Sequence, residues 1–330
     1  MFWINHINNE NLLFKLHHQV NFFVLLVGVL FILGQNDLNS KAIVCRGGDD
    51  YANQYCWSHA TGYIDQDMSD ATSLCSMEVT SDNDREANYY MRIPIILLIC
   101  MGLAKIPMIV WQRICEKGIM ASLVRDGKQT GGKVAVRFNS LRNGSAILWY
   151  HICFSACELL NVVILVSCST VLNSSLFGQF WSYGIDVKNY YSTESNGLNP
   201  EWLGTNPMCN LFPTDVACNI CTGSIGGGRD CIEILCTLSS NIFNQYYFLI
   251  LWCWWVLLIV VSLLGIIYRV AQMFVPPFTR AVLQTYLTPH GLEEKEKTLS
   301  LGSADCFLLG RLANNVKGDI MKEVLNEVSP

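Results

Sequence analysis

Four stretches of the chain are apolar over a length that suits a membrane span, and polar segments of unequal charge separate them. The clearest, Tyr246 to Tyr268, has 23 residues and no charge. At ~1.5 Å of rise per residue a helix there reaches ~34 Å, slightly more than a ~30 Å hydrocarbon core. Ala146 to Leu172 is a more polar run, with His151, Glu158 and Asn161 inside it; polar residues at such depth are expected to face protein or water. Ile93 to Trp111 carries Pro94, Pro107 and one charge, Lys105, near its far end, where the stem can snorkel toward headgroups. Pro94, near the opposite end, is expected to bend or cap the helix. The weakest run is Phe22 to Leu33, which Leu16 and Val20 extend toward spanning length. Lys15, His17 and His18 ahead of it would also suit a cleaved signal peptide, but no small-residue cleavage site follows Leu33.

Charge orients the segments between the runs. From 112 to 145 seven Lys/Arg (Arg113, Lys117, Arg125, Lys128, Lys133, Arg137, Arg142) face two acids, Glu116 and Asp126, an excess that marks the cytoplasmic side. The segments on either side are acidic, with ten acids against Lys41, Arg46 and Arg85 over residues 34–90, and six against Lys188 and Arg229 over residues 173–245. The expected order is therefore a cytoplasmic N-terminus (1–15), a first span (16–34), an extracellular loop (35–92), a second span (93–111), a cytoplasmic loop (112–145), a third span (146–172), a second extracellular loop (173–245), a fourth span (246–268) and a cytoplasmic C-terminal region (269–330). In that last region Ala304 to Leu312 and Val316 to Val328 have the apolar spacing of short amphipathic helices.

Composition agrees with several spans: 51% of the 330 residues are hydrophobic and 15% charged. The net charge of -5 and the lack of a compact basic face make nucleic acid an unexpected partner. Eight of the 15 cysteines (Cys45, Cys56, Cys75, Cys209, Cys218, Cys221, Cys231, Cys236) fall in the two acidic segments, an even number that permits full pairing in an oxidising compartment. Cys218 and Cys221 have a redox or zinc spacing, yet no matching pair with histidines accompanies them, so structural disulfides are the better reading and no metal is expected. The glycine-rich run from Gly223 lacks the Gly-Lys-Ser/Thr ending of a phosphate loop and reads as a turn. His151 and Glu158 lie seven residues apart on one helical face; a proton relay is conceivable, but buried groups satisfied by packing partners are commoner. No paired carboxylates, nucleophile with a base, or cofactor fingerprint occurs, so neither an enzyme nor a cofactor is expected.

Several motifs, in order, resemble those of the innexins, the invertebrate gap-junction proteins. QYCWSHATGYI from Gln54 is similar to the family's YCW segment, and NYYMRIP from Asn88 to its YYQWVP signature, with Met91 and Arg92 in place of Gln and Trp. KIPMIVWQ from Lys105, CELLNVV from Cys157, FWSYGIDV from Phe180 and DCFLLGRLANNV from Asp305 resemble later elements, the last with Cys306 where Trp is usual. FPTDVAC from Phe212, followed by CTLSSNIFNQYYFLILWCWW from Cys236, resembles the second extracellular loop and fourth span. The chain departs from the family in a short segment before the first span, a closer spacing of Cys45 and Cys56, and four additional loop cysteines.

The resemblance implies an all-α membrane protein: four transmembrane helices, two disulfide-stapled extracellular loops and a helical cytoplasmic region. It implies a ring of like or related innexin subunits, eight in number, set in plasma-membrane lipid as a hemichannel. Docking with the hemichannel of an adjacent cell would form a gap junction, an ion channel also open to small metabolites. The family's loop cysteines fall on Cys45, Cys56, Cys218 and Cys236, with the expected pairing Cys45 to Cys236 and Cys56 to Cys218; the pairing of Cys75, Cys209, Cys221 and Cys231 stays open. Phe2 and Trp3 are the candidates for lining the pore entrance. The alternatives are a hemichannel that works undocked and, from another class, a four-span adhesion or scaffold protein without a pore.

Overall fold

In the computed structural model the described residues are 10–38, 43–58, 75, 89–127, 130–195, 206–223, 229–292 and 301–328. The pore-entrance candidates Phe2 and Trp3 lie outside them, as do residues 224–228 of the glycine-rich run.

Asn11 opens the first helix, α1 (Leu12–Lys15), its side chain accepting from the Phe14 N–H at 2.9 Å. A π-helical turn (Leu16–Val20) leads into α2 (Asn21–Leu38). The first loop holds β1 (Val44–Cys45) and α3 (Asp50–Ser58), which Asp49 caps by accepting from the Ala52 N–H at 2.9 Å. Helix α4 (Tyr89–Leu103) continues through Pro94, and the interruption of this span falls later, at Ala104–Lys105. There α5 (Ile106–Val110) restarts with Pro107 in its first turn, where a missing N–H leaves no helical bond unmade. A second π-helical turn, Trp111–Glu116, completes the span.

The basic loop is itself helical, as α6 (Ile119–Gly127) and α7 (Gly131–Asn143). After α8 (Ala146–Ser175) come α9 (Tyr183–Ser195), α10 (Pro207–Leu211) and two strands, β2 (Asp215–Gly223) and β3 (Arg229–Thr237). Helix α11 (Ser239–Phe274) then runs for 36 residues, and α12 (Pro276–Leu287), α13 (Ser303–Ala313) and α14 (Gly318–Glu327) close the chain. Among the described residues four stretches are long and apolar enough to cross a membrane: Leu12–Gly34, Arg92–Glu116, Ala146–Ser175 and Ser239–Phe274. The protein is mainly helical, and among the described residues its one departure from an all-helical plan is a three-stranded antiparallel sheet of order β1-β3-β2.

Two compact units divide the chain. The first comprises residues 1–22, 103–164 and 258–330. Its core is aromatic at the centre, with Trp111 edge-on to Tyr150 and Phe154 at 4.8 Å each and Phe14 at 5.0 Å from Phe154. Leu308, Leu309 and Leu312 of α13 and Met321 and Val324 of α14 bury their apolar faces in the same core. Glu323 of α14 reaches the start of α7 and accepts from the Gly131 N–H at 2.9 Å and the Gly132 N–H at 3.3 Å. A carboxylate there complements the positive end of the helix dipole. Gly131 is required at that approach, because a Cβ would lie 2.6 Å from that of Glu323.

The second unit comprises residues 23–102 and 165–257. Phe212 stacks on Phe248 at 5.0 Å, Tyr183 meets Phe212 edge-on at 5.9 Å, and Phe180 meets Trp255 at 5.7 Å. A separate cluster of Ile43, Cys45, Ala52, Cys56, Val216, Cys218, Ile220, Cys236 and Leu238 forms under the sheet. Along the four spans many large apolar side chains remain exposed, among them Leu30, Ile99, Leu159, Ile250, Leu264 and Ile267. That surface suits lipid or a neighbouring subunit better than water.

Candidate functional site

Within the second unit the two loops form one covalent body. β1 and β3 pair antiparallel with Cys45 opposite Cys236, and these two cysteines are bonded, Cα to Cα 3.9 Å. On the other side of β3, Cys221 of β2 lies opposite Cys231 and is bonded to it. Cys56 and Ala52, one helical turn apart on α3, turn toward β2, and Cys56 is bonded to Cys218. Cys75 is bonded to Cys209 just beyond the second residue of α10. Three of the four bridges thus cross between the first loop and the second, over separations of 191, 162 and 134 residues.

Backbone bonds reinforce the bridges. The Cys75 carbonyl accepts from the Thr214 and Asp215 N–H groups at 2.9 and 3.1 Å, and the Asp215 carboxylate accepts from the Cys75 N–H at 3.2 Å. Asn53 accepts from the Cys45 N–H at 2.9 Å. The FPTDV segment is tied to the start of α11 in the same way: Gln245 donates to the Phe212 carbonyl at 2.8 Å and Asn241 to that of Pro213. The Tyr183 hydroxyl donates to the Gln245 carbonyl at 3.0 Å, and burial pushes its pKa up, so it remains a donor. Buried amides such as Asn241 and Gln245 would be costly without these partners.

Cys218 and Cys221 do not act together, since each is committed to a different bridge. The sulfurs of Cys45, Cys56 and Cys236 lie within 4.8 Å of one another, but all three are in disulfides, and a bridged sulfur offers no thiolate to a metal.

The three polar residues of α8 are all buried, and they have separate surroundings. Glu158 pairs with Arg269 of α11, its carboxylate accepting from Nε at 2.8 Å and Nη2 at 3.0 Å and also from the Asn11 amide. Arg269 further donates to Gln272 at 2.6 Å, and its guanidinium lies 5.0 Å from the centre of the Phe154 ring and 4.9 Å from that of Phe307. His151 stacks on Phe307 at 4.5 Å, and among the described residues its Nε2 has no hydrogen-bond partner; nor has the Asn161 amide nitrogen. His151 and Glu158 therefore share a helix face without bonding to each other. Arg269 was legible in the sequence only as the charge ending the fourth span, since nothing local names its partner 111 residues earlier.

A family model described as Innexin matches residues 10–330. The chain is 23% identical over 340 residues to innexin inx4 of Drosophila melanogaster, covering 96% of this chain and 90% of that protein. It is 26% identical over 344 residues to innexin inx2 of Schistocerca americana, with 97% and 92% covered, and 24% identical over 353 residues to innexin inx4 of Anopheles gambiae, with 99% and 88% covered. The chain belongs to the innexin family. As an innexin it is a multi-pass protein of the plasma membrane at gap junctions, where it assembles with like subunits into channels that pass ions and small metabolites between adjacent cells. Three of the motifs supply residues of the structure described above. FPTDVAC enters β2, CELLNVV carries Glu158, and DCFLLGRLANNV supplies Phe307 beneath Arg269.

Proposed function

We propose that this innexin works as a docked channel made of two rings of eight subunits, the stoichiometry that the family resemblance implies. Residues 35–92 and 173–245 face the extracellular gap, and residues 1–15, 112–145 and 269–330 face the cytoplasm, as the Lys/Arg excess of the basic loop suggests. One four-helix subunit has too little polar interior to enclose a wide pore, so the pore arises from assembly. The exposed apolar faces of the spans meet lipid and neighbouring subunits. Phe2 and Trp3, ahead of the first span, line the pore entrance.

The observation that carries this reading is the covalent union of the two loops around one small sheet. Two long loops free to move separately would lose much conformational freedom on docking, whereas loops already bridged present one fixed surface. Dual voltage-clamp recording from paired cells tests it. Junctional conductance is expected between expressing pairs and should vanish when one cell lacks the protein and any compatible innexin. Surface-expressed protein giving dye uptake in single cells but no conductance between pairs would instead establish undocked use. External trypsin cutting the basic loop of intact cells would refute the orientation.

A further inference from the structure

Inside the first unit, between the start of α1, the end of α11 and the helices α12 and α13, lies a cleft of about 340 Å³. Its charged lining is Glu10, Glu158, Arg269 and Arg311. Two of these four charges are paired with each other. Glu158 and Arg269 neutralise each other, and Glu10 is 3.3 Å from the His18 ring. Arg311 is different: it is 8% exposed, and among the described residues its guanidinium makes no ion pair or hydrogen bond. It rests instead on aromatic faces, 4.5 Å from the Phe154 ring centre and 5.4 Å from that of Phe307. Rings of this kind steady a cation's position but leave the edge of the guanidinium, with its N–H fork, free to donate. Burial pulls the Arg311 pKa down and Arg269 adds to this, while Tyr150, Tyr286 and Glu158 oppose the shift.

Arg311 therefore offers the cleft a planar, two-pronged donor that no acid contacts among the described residues. Asn314 and Gln272 in the lining add amide groups. A fork of guanidinium N–H groups matches an oxyanion with two oxygens on one face, and it does so best for phosphate or carboxylate. The cleft is also bordered by Leu12 and Leu13 at one end of the first span and by Tyr268 and Gln272 near one end of the fourth. These are the ends of two spans, and phosphate is the abundant anion at the level of the lipid headgroups. A doubly charged ligand would be repelled by Glu10 and Glu158, so a single charge fits better.

We propose that this cleft binds a singly charged phosphate group against Arg311, carried either by the headgroup of an anionic phospholipid or by a small soluble phosphate. Bound there, the phosphate would join α13 to the ends of two spans and so couple the C-terminal helices to the membrane region of the same unit.

The test uses the assembled protein, purified in detergent and stripped of lipid. Inorganic phosphate, against chloride at equal ionic strength, should raise the thermal midpoint of the wild type if the soluble source applies. Phosphatidylglycerol should instead remain as a mass adduct in native mass spectrometry if the lipid source applies. In R311Q the responsive probe should bind about tenfold more weakly, the order expected for losing a charged hydrogen bond. R311K keeps the charge but not the fork, and it should assemble and still bind more weakly than wild type, which covers the case in which R311Q fails to assemble. Wild-type protein that responds to neither probe, or an R311K variant that binds as tightly as wild type, overturns the proposal.

Discussion

Replacing Glu158 by Gln removes one charge from the first unit while keeping the side chain's shape and an oxygen that can still accept from Arg269. The two partners are 4% and 7% exposed, so water cannot take over the lost interaction. Breaking a buried pair by removing one member leaves the other as an uncompensated buried charge, at a cost of ~3–5 kcal/mol. Here the remaining charge is a guanidinium over Phe154, and Arg311 lies over the same ring. For a protein of this size each kcal/mol is worth ~2 °C in the unfolding midpoint, so E158Q should melt ~6–10 °C lower. The assay heats detergent-solubilised, fluorescently tagged protein and measures the surviving oligomer peak by size-exclusion chromatography. The double variant E158Q/R269Q replaces the ion pair by two amides of similar volume and should recover at least half of the loss. An E158Q midpoint within ~2 °C of wild type, or a double variant as unstable as the two single losses added together, would refute the idea that this pair anchors α8 to α11.

Cys56→Ser, Cys218→Ser and the double variant should lose the same ~2–4 kcal/mol, since all three remove one bridge; peptide mapping under non-reducing conditions and paired-cell conductance check this, and additive losses would contradict it. Gly184→Ala places a methyl 2.2 Å from the Trp252 ring, which is held by its Nε1–H donating to the Trp181 carbonyl at 3.0 Å; a cost of ~1–3 kcal/mol is expected in the same melting assay, and an unchanged midpoint would show that the ring yields freely. Changing Phe2 and Trp3 to Ala should alter single-channel conductance or gating without changing surface expression. Unchanged conductance and voltage dependence after deletion of residues 2–9, with the channel still at the surface, would remove this segment from the pore.

Much of the architecture was legible because it rests on local pattern. A run such as Tyr246 to Tyr268 needs a lipid solvent wherever it sits, and its backbone then has to be helical to satisfy its own polar groups. The helices of the basic loop were not legible in that way. In α7, GGKVAVRFNSLRN opens on two glycines and carries three cations, and it becomes helical where Glu323 caps its start and Val134, Ala135 and Phe138 meet the first unit's core. The sheet was hidden for a related reason. Its strands read DVACNICTG and RDCIEILCT, in which cysteines take the places where alternating apolar and polar residues would otherwise mark a strand.

The sequence by itself determined that the chain is a mainly helical, four-span protein of the innexin family, because span length, charge bias and motif order are properties of neighbouring residues. It placed Glu158 in a membrane-spanning helix without naming its partner. Only the tertiary structure decided that this partner is Arg269, that His151 stacks on Phe307, and that Arg311 lies buried over Phe154 with no ion-pair partner among the described residues. It likewise decided that Cys75 meets Cys209 while Cys221 meets Cys231. The physical reason is common to all of these: each pairing depends on which helix faces or strand registers meet across the fold, and packing over the whole chain sets that geometry.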